Sequence, residues 1–260
     1  MGRIGIIAGT GFYELPALAE SAPEVVETRY GSALVTSGLW HGLEVSFLTR
    51  HGVDHSVPPS AVNYRANITA LKDLKVNRVI AINVVGGIDP SLKAGDLSLI
   101  DDFIDFTSGR QATFFDGLQL DGSRYNEELF VDGQYDGVQH VDVSDAYDRD
   151  IRRALSVSAQ KSLIPLREKG IYAGFNGPRF ETPSEIRLAA LAGATVVGMT
   201  GCPEVSLARE AGLRYASIAL VVNPAAGVSD QPITMEEIKE SLAQASAKVI
   251  TIIDGAIELI

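Results

Sequence analysis

The sequence predicts an α/β fold in which residues 1–260 form a single domain built on a central mixed, mostly parallel β-sheet flanked by helices. Two observations carry this. Short apolar runs at 4–8, 43–49, 78–85, 97–100, 171–175, 195–198 and 215–222 alternate with stretches of helical period, the pattern of strands buried on both faces. With 260 residues and 46% hydrophobic content, the chain has material for one sizeable core.

The helices are signalled by their starts. Thr182-Pro183-Ser184-Glu185 has the form of a capping box with proline at the first helical position, ahead of Ile186, Ala189 and Ala190. Thr234-Met235-Glu236-Glu237 repeats the device before a C-terminal helix with Ile238, Leu242, Ala245, Val249, Ile253, Ala256 and Ile257 near helical spacing. Pro203 and Gly212 bracket a short helix carrying Glu204. Between Thr107 and Asp145 the sequence is rich in Gly, Asp, Gln and aromatics without clean periodicity, which predicts a long excursion over the surface.

Charge and composition narrow the function classes. Lys+Arg number 22 against 33 Asp+Glu, a net charge of −11 with no basic cluster, which argues against nucleic acid as a partner. The start has no signal-peptide pattern, and the least charged stretch, 215–229, is too short to span a bilayer and contains Asn223 and Pro224. The single cysteine, Cys202, fits a reducing compartment and lacks a triad signature. The expectation is a soluble, cytoplasmic protein that captures any anionic ligand locally.

Several strand ends carry chemistry. Residues 4–11 read as a buried strand closing in Ala8-Gly9-Thr10-Gly11, where backbone N–H groups can converge on an anion and Thr10 adds a hydroxyl. Alone this equally fits a structural turn; Glu14 replaces the further glycine of a dinucleotide loop, and the Lys-Ser/Thr of a P-loop is missing. Arg50-His51-Gly52 follows a strand directly, where open α/β sheets bind ligands, and arginine's planar donors match two phosphate oxygens at once. A surface arginine and a satisfied histidine are the plain alternative. His51 and His55 are four apart, yet Gly52, Pro58 and Pro59 argue against the helix a zinc pair would need. Asn83-Val84-Val85-Gly86-Gly87 closes another strand with paired glycines. The most specific text comes later: Gly177-Pro178-Arg179-Phe180-Glu181-Thr182, then Gly198-Met199-Thr200 before Pro203-Glu204, then Leu220-Val221-Val222-Asn223.

In this order and at these separations the blocks resemble the trimeric purine nucleoside phosphorylases and methylthioadenosine phosphorylases, along nearly the whole chain. The branch of S-methyl-5'-thioinosine phosphorylases is similar also at 83–87, at Asp105-Phe106-Thr107-Ser108-Gly109-Arg110 and at 222–227. The resemblance implies the nucleoside phosphorylase fold and a homotrimer. It implies that Thr10, Arg50, His51, Thr200 and the Val84 backbone hold phosphate, that Met199 packs on the ribose, and that Val85, Gly86 and Phe180 border the purine. No metal and no organic cofactor are expected, inorganic phosphate being a co-substrate and the nucleophile.

Three positions bear on the substrate. Asn223 stands where relatives acting on 6-aminopurines carry aspartate, and an amide can donate to O6 or N7 of a 6-oxopurine. Glu181, when ionised, accepts the N1–H that hypoxanthine and guanine have and neutral adenine lacks; the alternative is a charge placed before a helix N-terminus. Met235 stands where relatives recognising a 5'-hydroxyl bear histidine, and with Ile238 it offers an apolar wall to a 5'-methylthio group. The expected catalytic residues are Asn223, Glu181 and His51. The expected reaction is phosphorolysis of a 6-oxopurine nucleoside, S-methyl-5'-thioinosine first. The alternatives are a broad inosine/guanosine phosphorylase, a methylthioadenosine phosphorylase, or a non-catalytic nucleoside-binding protein; a nicotinamide-dependent oxidoreductase is disfavoured by Glu14.

Overall fold

A computed structural model describes residues 2–12, 15, 17–52, 56–115 and 140–260. Positions Glu14 and His55, and most of the long excursion, lie outside the described residues.

The described strands form one 10-stranded sheet. Its centre is parallel: β4 (Leu43–Thr49) pairs with β1 (Arg3–Ala8), which pairs with β5 (Val76–Gly87), which pairs with β10 (Arg214–Pro224). These are the near-continuous apolar runs of the sequence, and their residues are buried almost throughout. One side of the sheet ends in β2 (Ala19–Thr28) and β3 (Gly31–Trp40), which pair antiparallel with each other and with β4. On the other side, the last two residues of β5 meet β9 (Val196–Gly198) antiparallel, followed by β8 (Ile171–Gly174) and β7 (Asp102–Asp105) in parallel. The short β6 (Leu97–Leu99) runs antiparallel to β10.

Helices cover both faces. α2 (Arg149–Lys161) and α5 (Met235–Ile257) pack on one core with Ile6, Ile80, Ile218 and Leu220. α1 (Tyr64–Asp73) and α4 (Gly201–Glu210) pack on the other with Ile7, Val79 and Val221. All seven apolar positions read from the α5 sequence are buried, and full burial of such aliphatic side chains is worth about 1.5–3 kcal/mol each for the larger ones. α3 (Pro183–Leu191) begins with both bonds of the capping box: the Thr182 hydroxyl accepts from the Glu185 N–H, and the Glu185 carboxylate accepts from the Thr182 N–H.

The structure departs from the sequence reading in two places. β2, β3 and β7 lie outside the expected strands. β2 is a sheet edge, so its residues are mostly exposed and Pro23 is tolerated within it; edge strands lack the apolar runs that mark central ones. The hairpin β2–β3 and its pairing with β4 supply antiparallel pairs of the expected mixed, mostly parallel sheet. The described part of the expected surface excursion is also not wholly superficial: Phe114 is fully buried beside Tyr30, with ring centroids 5.3 Å apart.

Candidate active site

At the C-terminal ends of β1, β4, β5, β9 and β10 the chain encloses a cleft of about 230 Å³. Ligands of open α/β sheets bind at this edge. Thr10, Arg50, His51, Val84, Val85, Gly86, Phe180, Glu181, Met199, Thr200, Asn223, Met235 and Ile238, which span the whole sequence, all line this one cleft.

The glycine-rich turn after β1 depends on Gly11, whose φ of +82° is the left-handed region that a side chain disfavours. Beside this turn stand the residues that follow β4. A Cβ placed on Gly9 would lie 3.4 Å from the His51 ring and 3.6 Å from Arg50 Nη1, so the absence of a side chain there keeps the wall thin. His51 Nδ1 lies 2.8 Å from the carbonyl of Val57. A carbonyl only accepts, so Nδ1 carries the proton, and a neutral ring presents Nε2 as an acceptor.

Arg50 is 3% exposed, and its donors are largely committed. Nε donates to Glu204 Oε2 at 2.6 Å, Nη2 to Glu204 Oε1 at 2.7 Å, and Nη1 to the carbonyl of Ile82 at 2.7 Å. The two-oxygen grip expected for phosphate is thus taken, along the Nε–Nη2 edge, by a carboxylate. Five N–H bonds less three leave one on each Nη nitrogen. Burial works against the guanidinium charge, yet the attraction and hydrogen bonds of Glu204 outweigh it and raise the Arg50 pKa.

A second buried chain supports Thr200. Its hydroxyl pairs with Asn83 Oδ1 at 3.2 Å, and Asn83 Nδ2 reaches Ser217 Oγ at 2.7 Å. The backbone N–H groups of Thr200 and Gly201 both donate to the Tyr172 hydroxyl, at 3.1 and 3.0 Å, which fixes the turn between β9 and α4. The start of α4 is kinked at Cys202 and Pro203. Cys202 is fully buried, and burial pushes its thiol pKa well up, away from nucleophile chemistry.

Across the cleft, the segment leaving β8 turns at Gly177, with φ +62° and the Met199 thioether packed where a Cβ would stand. It delivers Phe180, 43% exposed, and Glu181, 8% exposed. Glu181 Oε1 is buried without a hydrogen-bond partner among the described residues, and burial raises the carboxyl pKa above its ordinary value. Asn223 closes β10 beside Gly86; its Nδ2 donates one hydrogen to the Pro224 carbonyl at 2.6 Å, which leaves the second hydrogen and Oδ1 for a ligand. Ile233, Met235 and Ile238 form an apolar stretch, Ile238 buried and Met235 51% exposed.

The cleft therefore combines an arginine- and hydroxyl-bearing corner, a carboxylate with one oxygen unpartnered among the described residues, an amide and an apolar rim. The phosphorylase superfamily matches residues 3–258. The chain belongs to the phosphorylase superfamily. It is 43% identical over 260 residues to 6-oxopurine nucleoside phosphorylase of Pyrococcus furiosus, covering 100% of this chain and 94% of the relative. A probable S-methyl-5'-thioinosine phosphorylase of Pseudomonas syringae pv. tomato is 42% identical over 247 residues, with 94% of each chain covered. Among solved structures, methylthioadenosine phosphorylase from Schistosoma mansoni in complex with adenine superposes with a TM-score of 0.90 at 30% identity, covering 100% of this chain and 91% of that one. This member of the superfamily is an enzyme, a pentosyltransferase of the nucleoside phosphorylase kind. No helix of the described residues is long and apolar enough to cross a membrane.

Sequence reasoning missed the groups behind the wall: Tyr172, Ser217 and Tyr215, and the pairing of Glu204 with Arg50. One signal was available. Asn83 and Ser217 are polar residues inside apolar strand runs, and a polar group buried there requires a partner.

Proposed function

We propose that the enzyme uses inorganic phosphate to cleave the N-glycosidic bond of a 6-oxopurine nucleoside, S-methyl-5'-thioinosine first, giving hypoxanthine and 5-methylthioribose 1-phosphate. The observation that carries the base assignment is Glu181: a buried carboxylate oxygen without a partner among the described residues, on the wall of the cleft, is an acceptor waiting for a donor. A 6-oxopurine supplies that donor at N1–H, and neutral adenine does not. Asn223 supports the same base, since its remaining N–H can donate to N7 or O6.

In this reading a hydrogen phosphate dianion accepts from the remaining Nη N–H groups of Arg50, from the Thr10 hydroxyl, from the Thr200 hydroxyl once it turns from Asn83 Oδ1, and from the Val84 backbone, while its own P–OH donates to His51 Nε2 and Met199 lies against the ribose. The bond between C1' and the base lengthens first; positive charge on the sugar faces the phosphate, and the electron pair passes to the purine, where Asn223 and Glu181 receive the base. A phosphate oxygen then bonds to C1', phosphate gives up its one proton and the departing purine takes one up, so the products are the sugar phosphate dianion and neutral hypoxanthine. Stabilising both charges as they develop is the chemical task, and it calls on no metal or organic cofactor. The enzyme works as a homotrimer in this account, a neighbouring copy covering the exposed faces of Phe180 and Met235.

The apolar rim of Ile233, Met235 and Ile238 favours a 5'-methylthio group, because a 5'-hydroxyl there forfeits a partner at about 1–3 kcal/mol. Comparing kcat/KM for S-methyl-5'-thioinosine, inosine and methylthioadenosine at equal phosphate tests this. A preference for methylthioinosine over inosine of about 5-fold or more is expected from that penalty. Equal or better use of inosine overturns the sugar assignment and leaves the broad inosine/guanosine phosphorylase. Preference for methylthioadenosine overturns the base assignment.

A further inference from the structure

The deepest charged group behind the cleft is Glu204. It is fully buried, stands on α4 outside the cleft lining, and spends its oxygens on the distant Arg50 and on Tyr215 of the following strand: Oε2 on Arg50 Nε, Oε1 on Arg50 Nη2 at 2.7 Å and on the Tyr215 hydroxyl at 2.7 Å. Tyr215 is itself 1% exposed on β10, the central parallel strand next to β5. A third contact, Arg50 Nη1 to the Ile82 carbonyl, fixes the guanidinium from the β5 side.

We infer that Glu204, braced by Tyr215, is a positioning residue for phosphate: it holds the plane of the Arg50 guanidinium so that the two remaining Nη N–H bonds can face the turn at Gly9 and Thr10. The inference rests on the proposed phosphorolysis, in which Arg50 binds phosphate. Its physical basis is the geometry of the fork. A planar guanidinium has one orientation in which the Nε–Nη2 edge meets a carboxylate, and that orientation dictates where the Nη ends lie. An arginine without this partner rotates about a flexible stem. The pair also sets the electrostatics of the corner: a carboxylate buried beside Arg50 offsets its charge, so phosphate is selected by directed N–H and O–H donors rather than by net charge.

The prediction separates one substrate from the other. Glu204→Gln replaces an oxygen by an NH₂ facing the N–H groups of Arg50, and is expected to raise the KM for phosphate about 10-fold or more, the effect of one charge-assisted hydrogen bond. The KM for the nucleoside is expected to stay within about 2-fold, because Glu181, Asn223 and the apolar rim are untouched. Tyr215→Phe removes one bond to Oε1 and keeps the ion pair; a rise in phosphate KM of about 2- to 5-fold is expected, in line with one modest hydrogen bond. Should Glu204→Gln fail to fold, Tyr215→Phe decides alone. An unchanged phosphate KM, or both KM values rising together as a general loosening of the fold would produce, overturns the inference. The wild-type control keeps the two claims apart: cleavage independent of phosphate refutes the phosphorolysis itself, whereas phosphate-dependent cleavage with variants that behave like wild type refutes only the role of Glu204.

Discussion

Glu181 carries an electrostatic cost in the protein without ligand. Its carboxyl pKa is raised by burial, so the folded state holds the proton more tightly than the unfolded chain does. Stability associated with this group is present at low pH and is lost as pH rises through the raised folded pKa, because ionising the buried oxygen is then unfavourable. Glu181→Gln is therefore expected to raise the Tm of the ligand-free protein at pH 8, the difference closing near pH 5, while kcat/KM for a 6-oxopurine nucleoside falls about 100-fold. Thermal scans at the two pH values and initial rates check both halves; a Tm gap that widens toward acid contradicts the assignment. Glu181 itself was legible in the sequence through its place in the block at 177–182, and Arg50 through its place after a strand. Their surroundings were not. The partner that orients Arg50 lies 154 residues away, and Ser217 lies 134 residues from Asn83, separations that only the folded sheet closes.

At the level of elements, the cap of α3 does more than start a helix. Glu181 immediately precedes the Thr182 cap, so the capping bonds and the bidentate Arg179–Glu185 pair fix the backbone that delivers the carboxylate. Thr182→Ala is expected to cost about 1 kcal/mol, a fall in Tm of about 2–4 °C, with a rise in nucleoside KM and little change in phosphate KM. Calorimetry beside steady-state kinetics measures this; a Tm loss with both KM values unchanged shows that the cap serves stability alone. This capping box was readable residue by residue because its determinants are local. The seven central strand runs were readable for the same reason: burial on both faces leaves nearly continuous apolar text. β2 and β7 were not, because each lies at an edge of the sheet and is partly or wholly solvated, and β3 carries too weak an alternation to stand out beside them.

Across the whole molecule, the parallel order of β4, β1, β5 and β10 aims four strand ends at one edge, with β9 joining them where β5 runs out. This converts residues 10, 50, 84, 200 and 223, scattered along the sequence, into one wall. Two apolar cores hold that wall rigid from either face, one through α2 and α5 and the other through α1 and α4. The central claim is that this wall carries out phosphorolysis, and the fate of the sugar tests it most directly. Purified protein incubated with S-methyl-5'-thioinosine is expected to release hypoxanthine only when phosphate is supplied, with one equivalent of 5-methylthioribose 1-phosphate detected by phosphorus NMR. Hypoxanthine released with free methylthioribose in phosphate-free buffer, or no cleavage of any 6-oxopurine nucleoside in the presence of phosphate, contradicts it.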